Sequence, residues 1–194
     1  MELKLPVNHN PIEDRMNLME EEIQKLRKQV EGQEQDNKVN IICFSREWDR
    51  LYAALTIASG ALALGTQVHL FFTFWAVCAL KDPDKKGQND RSLLQKAFGR
   101  MMPSGFGAAP MSNYNYKGLG KYFFRKHLKK TGVDDIDRLF NDVIELGAEL
   151  HVCDSSSSML GISCEELIEA DKINQCGVTT FLSHALKSKM TLFI

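Results

Sequence analysis

Among the five cysteines of this 194-residue chain (Cys43, Cys78, Cys153, Cys164 and Cys176) there is no CxxC and no Cys/His pair at zinc spacing. That excludes the usual zinc-finger and vicinal-dithiol motifs. HExxH, Walker A, GxSxG and EF-hand patterns are also missing, and with them the chemistries those spacings support. The five histidines are scattered, with His69 and His151 inside expected strands. They read as core histidines, so neither a metal nor a cofactor is expected. The opening run MELKLPVNHNPIED has no apolar signal core, so free thiols in a reducing cytoplasm are the expectation. Net charge is nearly absent too, with 24 Lys and Arg against 25 Asp and Glu, and it names no partner.

What is present is an ordinary globular composition: 44% hydrophobic and 25% charged residues. A chain of this size buries a proper core, which excludes a largely disordered protein or a disulfide-stapled miniprotein. Charge is distributed unevenly. Residues 81–132 carry 12 positive and 3 negative groups, and residues 133–194 carry 4 and 11. The basic stretch 117–130 also holds Tyr122, Phe123 and Phe124. It is read as a solvated face pairing with the acidic helices after it, and nucleic acid is not an expected partner. Residues 51–80 contain no charged side chain, long enough for a membrane span. Their texture favours an Ala-rich helix ending at Gly65, then a β-branched and aromatic strand at 67–74. A membrane-associated form is the disfavoured alternative.

The first 38 residues stand apart as a separate arm. Ile12, Met16, Met19, Ile23, Leu26 and Val30 follow a 4-3-4-3-4 spacing, an a/d seam of about two and a half heptads, before the polar run EGQEQDNK. The seam fits a coiled-coil arm or a solitary amphipathic helix equally well. From residue 39 strands and helices alternate. VNIICFS (39–45) reads as a buried strand, 46–65 as a helix, 67–74 as a strand and 75–80 as a helix start. Residues 91–102 and 121–130 read as helices on either side of a long loop at 103–120. A further helix starts at Asp134 or Asp135 and stops at Gly147, and AELHVC is a strand running into a serine cluster. A helical turn at 163–168, a helix at 177–189 and a closing strand at 190–194 complete the chain. The domain boundaries are therefore 1–38 and 39–194. The fold class is α/β, a flavodoxin-like three-layer sandwich with a mostly parallel sheet of four clear strands and room for one more.

In such sheets the sites lie beyond the carboxyl ends of the strands. Cys153 ends AELHVC, with DSSSSMLG leading toward a helix. Backbone N–H groups and serine hydroxyls there would favour a thiolate. A half-buried structural cysteine is the alternative reading. Cys43 ends the first strand in the same way and is a candidate second thiol paired with Cys153. Cys78, Cys164 and Cys176 read as incidental. Gly105, Gly107, Gly118 and Gly120 lack the strand–GxGxxG–helix context of a nucleotide site, and their loop is expected to cover the thiol.

Taken in order, KVNIICFS, FFTFWAVCAL, KAFGRMMPSG, GLGKYFF and ELHVCDSSSSMLGI followed by EELI resemble the DsrE/DsrF-like family, in the branch labelled "peroxiredoxin family protein". The resemblance runs from about residue 39 to 181. It implies a flavodoxin-like fold, homo-oligomerisation and sulfur relay with a TusA-like or rhodanese-like donor or acceptor. The family cysteine falls on Cys153, and Ser45, Phe74, Trp75 and Gly120 match motif positions that would line a pocket, with Ser155 and Ser156 as added donors. No PxxxTxxC peroxide motif supports the peroxiredoxin label. One departure is chemical: relatives carry a Met-containing run after the cysteine, where this chain has an acid and four serines. Two functions follow from this reading: a persulfide carrier on Cys153, or a non-catalytic oligomeric binding module with a vestigial cysteine.

Overall fold

The computed structural model describes residues 11–31, 36–85, 104–113 and 115–194. The helix expected at 91–102 lies outside them. The chain divides into two units, Met1–Gln35 and Asp36–Ile194. The first holds one helix, α1 (Pro11–Glu31). Its seam residues Ile12, Met16, Met19, Ile23 and Leu26 are solvent-exposed, at 47–68%.

The second unit is built on β1 (Asp36–Cys43), β2 (Gln67–Phe72), β3 (Glu149–Cys153), β4 (Ile173–Cys176) and β5 (Ser188–Phe193). They form one sheet in the order β4-β3-β2-β1-β5, and every pair is parallel. The described helices are α2 (Trp48–Ala63), α3 (Ala76–Ala79), α4 (Leu119–Thr131), α5 (Ile136–Glu145), α6 (Asp154–Leu160) and α7 (Val178–Ala185). Among the described residues no helix is long and apolar enough to cross a membrane. The uncharged run 51–80 is divided between α2, β2 and α3.

Handedness decides which face each helix covers. The steps β1→β2→β3→β4 run in one direction across the sheet, and right-handed crossovers place their helices on one face. The step β4→β5 runs back past three strands and delivers α7 to the other face. The first face is therefore thick. Ile41, Leu70, Phe72, Leu150 and Val152 pack there with Leu51, Leu55 and Ala58 of α2 and Ile136, Phe140 and Val143 of α5. The face under α7 is thin, with Phe71, Cys153 and Phe181 as its buried apolar cluster.

Local chemistry explains the boundaries. Buried Leu51, Ala54, Leu55 and Ala58 give α2 one apolar stripe. Gly65, at φ +73°, ends it, its N–H bonding Leu62 O at 2.9 Å while Thr66 N bonds Ala61 O at 3.0 Å. Asp135 caps α5 by accepting from Ile136 N at 2.9 Å and also pairs with Arg125 of α4. That pair joins the basic helix to the acidic one after it. β1 starts at Asp36, three residues before the expected strand, because Asp36 N reaches Lys187 O at 2.7 Å while its side chain stays in water. The fifth strand is β4, in the stretch between the helical turn expected at 163–168 and the helix expected at 177–189, where the sequence reading placed no element. The serine cluster is helical rather than irregular, forming α6.

Candidate functional site

Cys153 is the last residue of β3 and the N-cap of α6. It is buried on the thin face, packed with Phe71 and Phe181. Burial raises its thiol pKa, but the Ser156 hydroxyl and N–H, the Thr73 hydroxyl and the Ser155 N–H all favour the anion and together outweigh it, so the pKa lies below the ordinary thiol value. The donors are themselves organised: Thr73 Oγ1 and Ser156 Oγ are 3.0 Å apart. Thr73 follows β2 directly, and its N–H is held by Cys43 O at 2.9 Å. Asp154, next in sequence to the thiol, accepts from Gln175 Nε2 at 2.8 Å.

The other four thiols are placed differently. Burial pushes Cys43 up to about 12 and raises Cys78. Cys164 is raised by burial and by Glu165, and Cys176 by burial and by Cys153. Among the five, Cys153 alone is shifted toward the thiolate.

The structure does not bring Cys43 and Cys153 together. Cys43 is in register with Phe72 and Phe72 with Val152, so β2 stands between the two strands. Side chains alternate along a strand, which turns Cys43 to the thick face with Val152 and leaves Cys153 on the other. The thiol opposite Cys153 is Cys176 of β4, its register partner.

Of the expected lining residues, Ser155 and Ser156 stand at the thiol, Ser155 through its N–H. Phe74 and Trp75 follow Thr73, and both are 41% exposed. Phe74 takes a positive φ of 47° and packs on Phe44 at 5.0 Å between ring centroids, and Phe44 packs in turn on Phe193 at 5.6 Å. With the half-buried Phe44 between them, the exposed Phe74 and Phe193 make an aromatic rim at the carboxyl ends of β1, β2 and β5. Ser45 lies beyond β1 with its hydroxyl donated to Glu47 Oε2 at 2.9 Å.

Gly120 and the described part of the 103–120 loop belong elsewhere. Gly120 lies in α4, whose Phe124 meets Trp48 of α2 edge-on at 5.7 Å, above the thick face. Phe106 and Ala109 are buried in that same core, and Lys121 Nζ donates to the carbonyls of Gly107 at 2.7 Å and Phe106 at 3.3 Å. The described part of the loop therefore covers α2 and α5, not Cys153. A groove of about 580 Å³ between loop and α4 is lined by Lys121, Tyr122, Arg125 and Lys126, and none of its described lining residues is a cysteine.

Sequence reasoning missed Thr73, Cys176 and a cluster formed by His69, Glu149 and His151. Period-2 alternation was their available signal: Glu149, His151 and Cys153 share one face of β3, as His69 and Phe71 share one face of β2.

This architecture has counterparts. A crystal structure of the ychN protein from E. coli superposes with a TM-score of 0.50 at 13% identity, covering 81% of this chain and 98% of the other, which is a likeness of fold. In sequence, the uncharacterized protein YrkE of Bacillus subtilis is 34% identical over 165 residues, covering 83% of this chain and 99% of YrkE. The sulfur carrier protein DsrE2 of Allochromatium vinosum is 26% identical over 164 residues, covering 82% of this chain and 99% of DsrE2. The profile of the DsrE/DsrF/DrsH-like family matches residues 35–193, and to that family this chain belongs.

Proposed function

We propose that this protein relays sulfane sulfur as a persulfide on Cys153. The observation that carries the reading is the ring of donors around one sulfur atom: Ser156, Thr73 and the Ser155 N–H, at the carboxyl end of a central strand. Its relation to a protein named a sulfur carrier supports the same chemistry.

In the first step the Cys153 thiolate attacks the outer sulfur of a donor persulfide. A Cys153 S–S bond forms, the donor S–S bond breaks, and the donor leaves as a thiolate. The donors that stabilise the thiolate then hold the terminal sulfur anion. In the second step an acceptor thiolate attacks that outer sulfur and Cys153 leaves as thiolate, so no external oxidant or reductant is consumed. The exposed aromatic rings of Phe74 and Trp75, backed by Phe44, are the surface on which a TusA-like or rhodanese-like donor or acceptor would dock, in a reducing cytoplasm. The serine run replaces apolar packing with hydrogen-bond donors, which suits a carrier that stores an anion.

The test is a two-stage transfer. Protein loaded with polysulfide and desalted is mixed with an acceptor thiol, and acceptor persulfide is quantified. Near-stoichiometric transfer from wild type and loss in Cys153→Ser are expected. Equal transfer from both would contradict the proposal.

A second reading, an oligomeric assembly module, draws on the exposed apolar seam of α1. In that reading α1 joins copies of the chain and the thiol is silent.

A further inference from the structure

The thin face of the sheet carries chemistry that sulfur relay does not use. Alternation places His69 of β2 and Glu149 and His151 of β3 on it. His69 is 3% exposed and His151 is 8% exposed, while the Glu149 side chain is half-exposed. One carboxylate oxygen, Glu149 Oε2, stands 3.6 Å from His69 Nδ1 and 3.5 Å from His151 Nε2. Ligand atoms of the three side chains all lie within 4.8 Å of one another.

Those separations are longer than a good N–H···O bond. Both ring nitrogens of His69 and Nε2 of His151 are buried without a hydrogen-bond partner. Such groups are costly to leave unpaired, and two of them, His69 Nδ1 and His151 Nε2, converge on the same Glu149 oxygen, so the spot between them calls for an occupant. An ion bound through N and O donors at about 2.0–2.2 Å spaces tetrahedral ligands about 3.4 Å apart. The observed 3.5 and 3.6 Å fit a shared centre better than direct pairing.

The surroundings orient the ligands. His151 Nδ1 is 3.8 Å from Cys176 Sγ. With that ring N–H donated to sulfur, Nε2 turns its lone pair to the centre, as outer partners of metal-bound imidazoles do. His184 of α7 covers the spot, its ring centroid 4.7 Å from that of His69 and 5.7 Å from that of His151.

We infer that His69 Nδ1, His151 Nε2 and Glu149 Oε2 form a binding site for a divalent transition-metal ion of the zinc class, with a fourth coordination position facing His184. Two imidazoles and a carboxylate are borderline donors that suit Zn²⁺ or Co²⁺, whereas Mg²⁺ and Ca²⁺ take oxygen sets. The site replaces the expectation, from the scattered histidines, that the chain has no metal centre. It is independent of sulfur carriage.

The experiment uses the full chain, stripped with chelator and desalted. Zn²⁺ binding is read by equilibrium dialysis with elemental analysis, and Co²⁺ by its visible ligand-field bands. One ion per chain and an intense tetrahedral Co²⁺ spectrum are expected. Glu149→Gln, at a half-exposed position that does not threaten the fold, lowers affinity at least tenfold; His151→Gln abolishes the spectrum, with melting temperature checked alongside. Three results would overturn the site: no stoichiometric binding, an unchanged affinity in Glu149→Gln, or a thiolate charge-transfer band lost in Cys176→Ser, which would move the ion to sulfur ligands.

Discussion

Cys153 and Cys43 each end a strand, yet their chemistry differs because of what each strand end faces. Cys43 points into a packed apolar core and is pushed to about 12. Cys153 points to the thin face, where four donors outweigh burial. Alkylation in the presence of chelator, followed by peptide mapping, reads this difference. Cys153 is expected to react with a midpoint below that of an ordinary thiol, and Cys43 to remain unmodified up to about pH 10. Ser156→Ala and Thr73→Val each remove a donor to the anion, so the Cys153 midpoint should move up and its rate at neutral pH fall several-fold. An unchanged profile in the double variant would remove these hydroxyls from the account. Diamide should leave Cys43 reduced, since β2 separates it from Cys153.

At the scale of elements, α5 and the loop after Ser104 illustrate two different anchors. Asp135→Ala removes the N-cap of α5 and the partner of Arg125, and about 1–2 kcal/mol of stability should be lost in urea unfolding. Phe140→Ala opens the core beneath the same helix and should cost about 3–5 kcal/mol. The loop is tied to α2 by Ser112, whose N–H donates to Asp49 Oδ1 at 2.8 Å and whose hydroxyl donates to Oδ2. Burial raises the Asp49 pKa, but these bonds outweigh it and the pKa is lowered. A carboxyl depressed in the fold contributes stability above its unfolded pKa, near 3.8, that is lost as pH falls through the folded value. Acid unfolding of Ser112→Ala should therefore show a shallower loss over that window.

The same elements show what the sequence discloses. β2 and β3 are legible because each is a short apolar run, and α2 because its stripe ends at a glycine. β4 is not: Ile173–Cys176 is four residues long, with Asn174 and Gln175 exposed at the sheet edge. α6 is hidden because serine favours caps and turns over helix interiors, and only its place after a buried strand makes it helical. The placement of Cys153 at the end of a strand was legible in the sequence. Thr73 and the His69–Glu149–His151 cluster were not, because their approach depends on register between segments about eighty residues apart.

For the whole molecule, strand order determines which face is thin among the described residues, and the thiol and the histidine cluster both lie on that face beneath the eight-residue α7. The separate unit containing α1 bears on assembly. Removing residues 1–35 should lower the solution mass to a smaller oligomer in light scattering if the exposed seam joins copies; an unchanged mass would assign assembly to the α/β unit alone. The most direct measurement for the central claim is intact mass after polysulfide treatment, with the adduct located by peptide mapping. The account predicts one added sulfur, about 32 Da, removed by reductant, located on Cys153 and absent from Cys153→Ser. An adduct that persists in the variant, or none in the wild type, would contradict it.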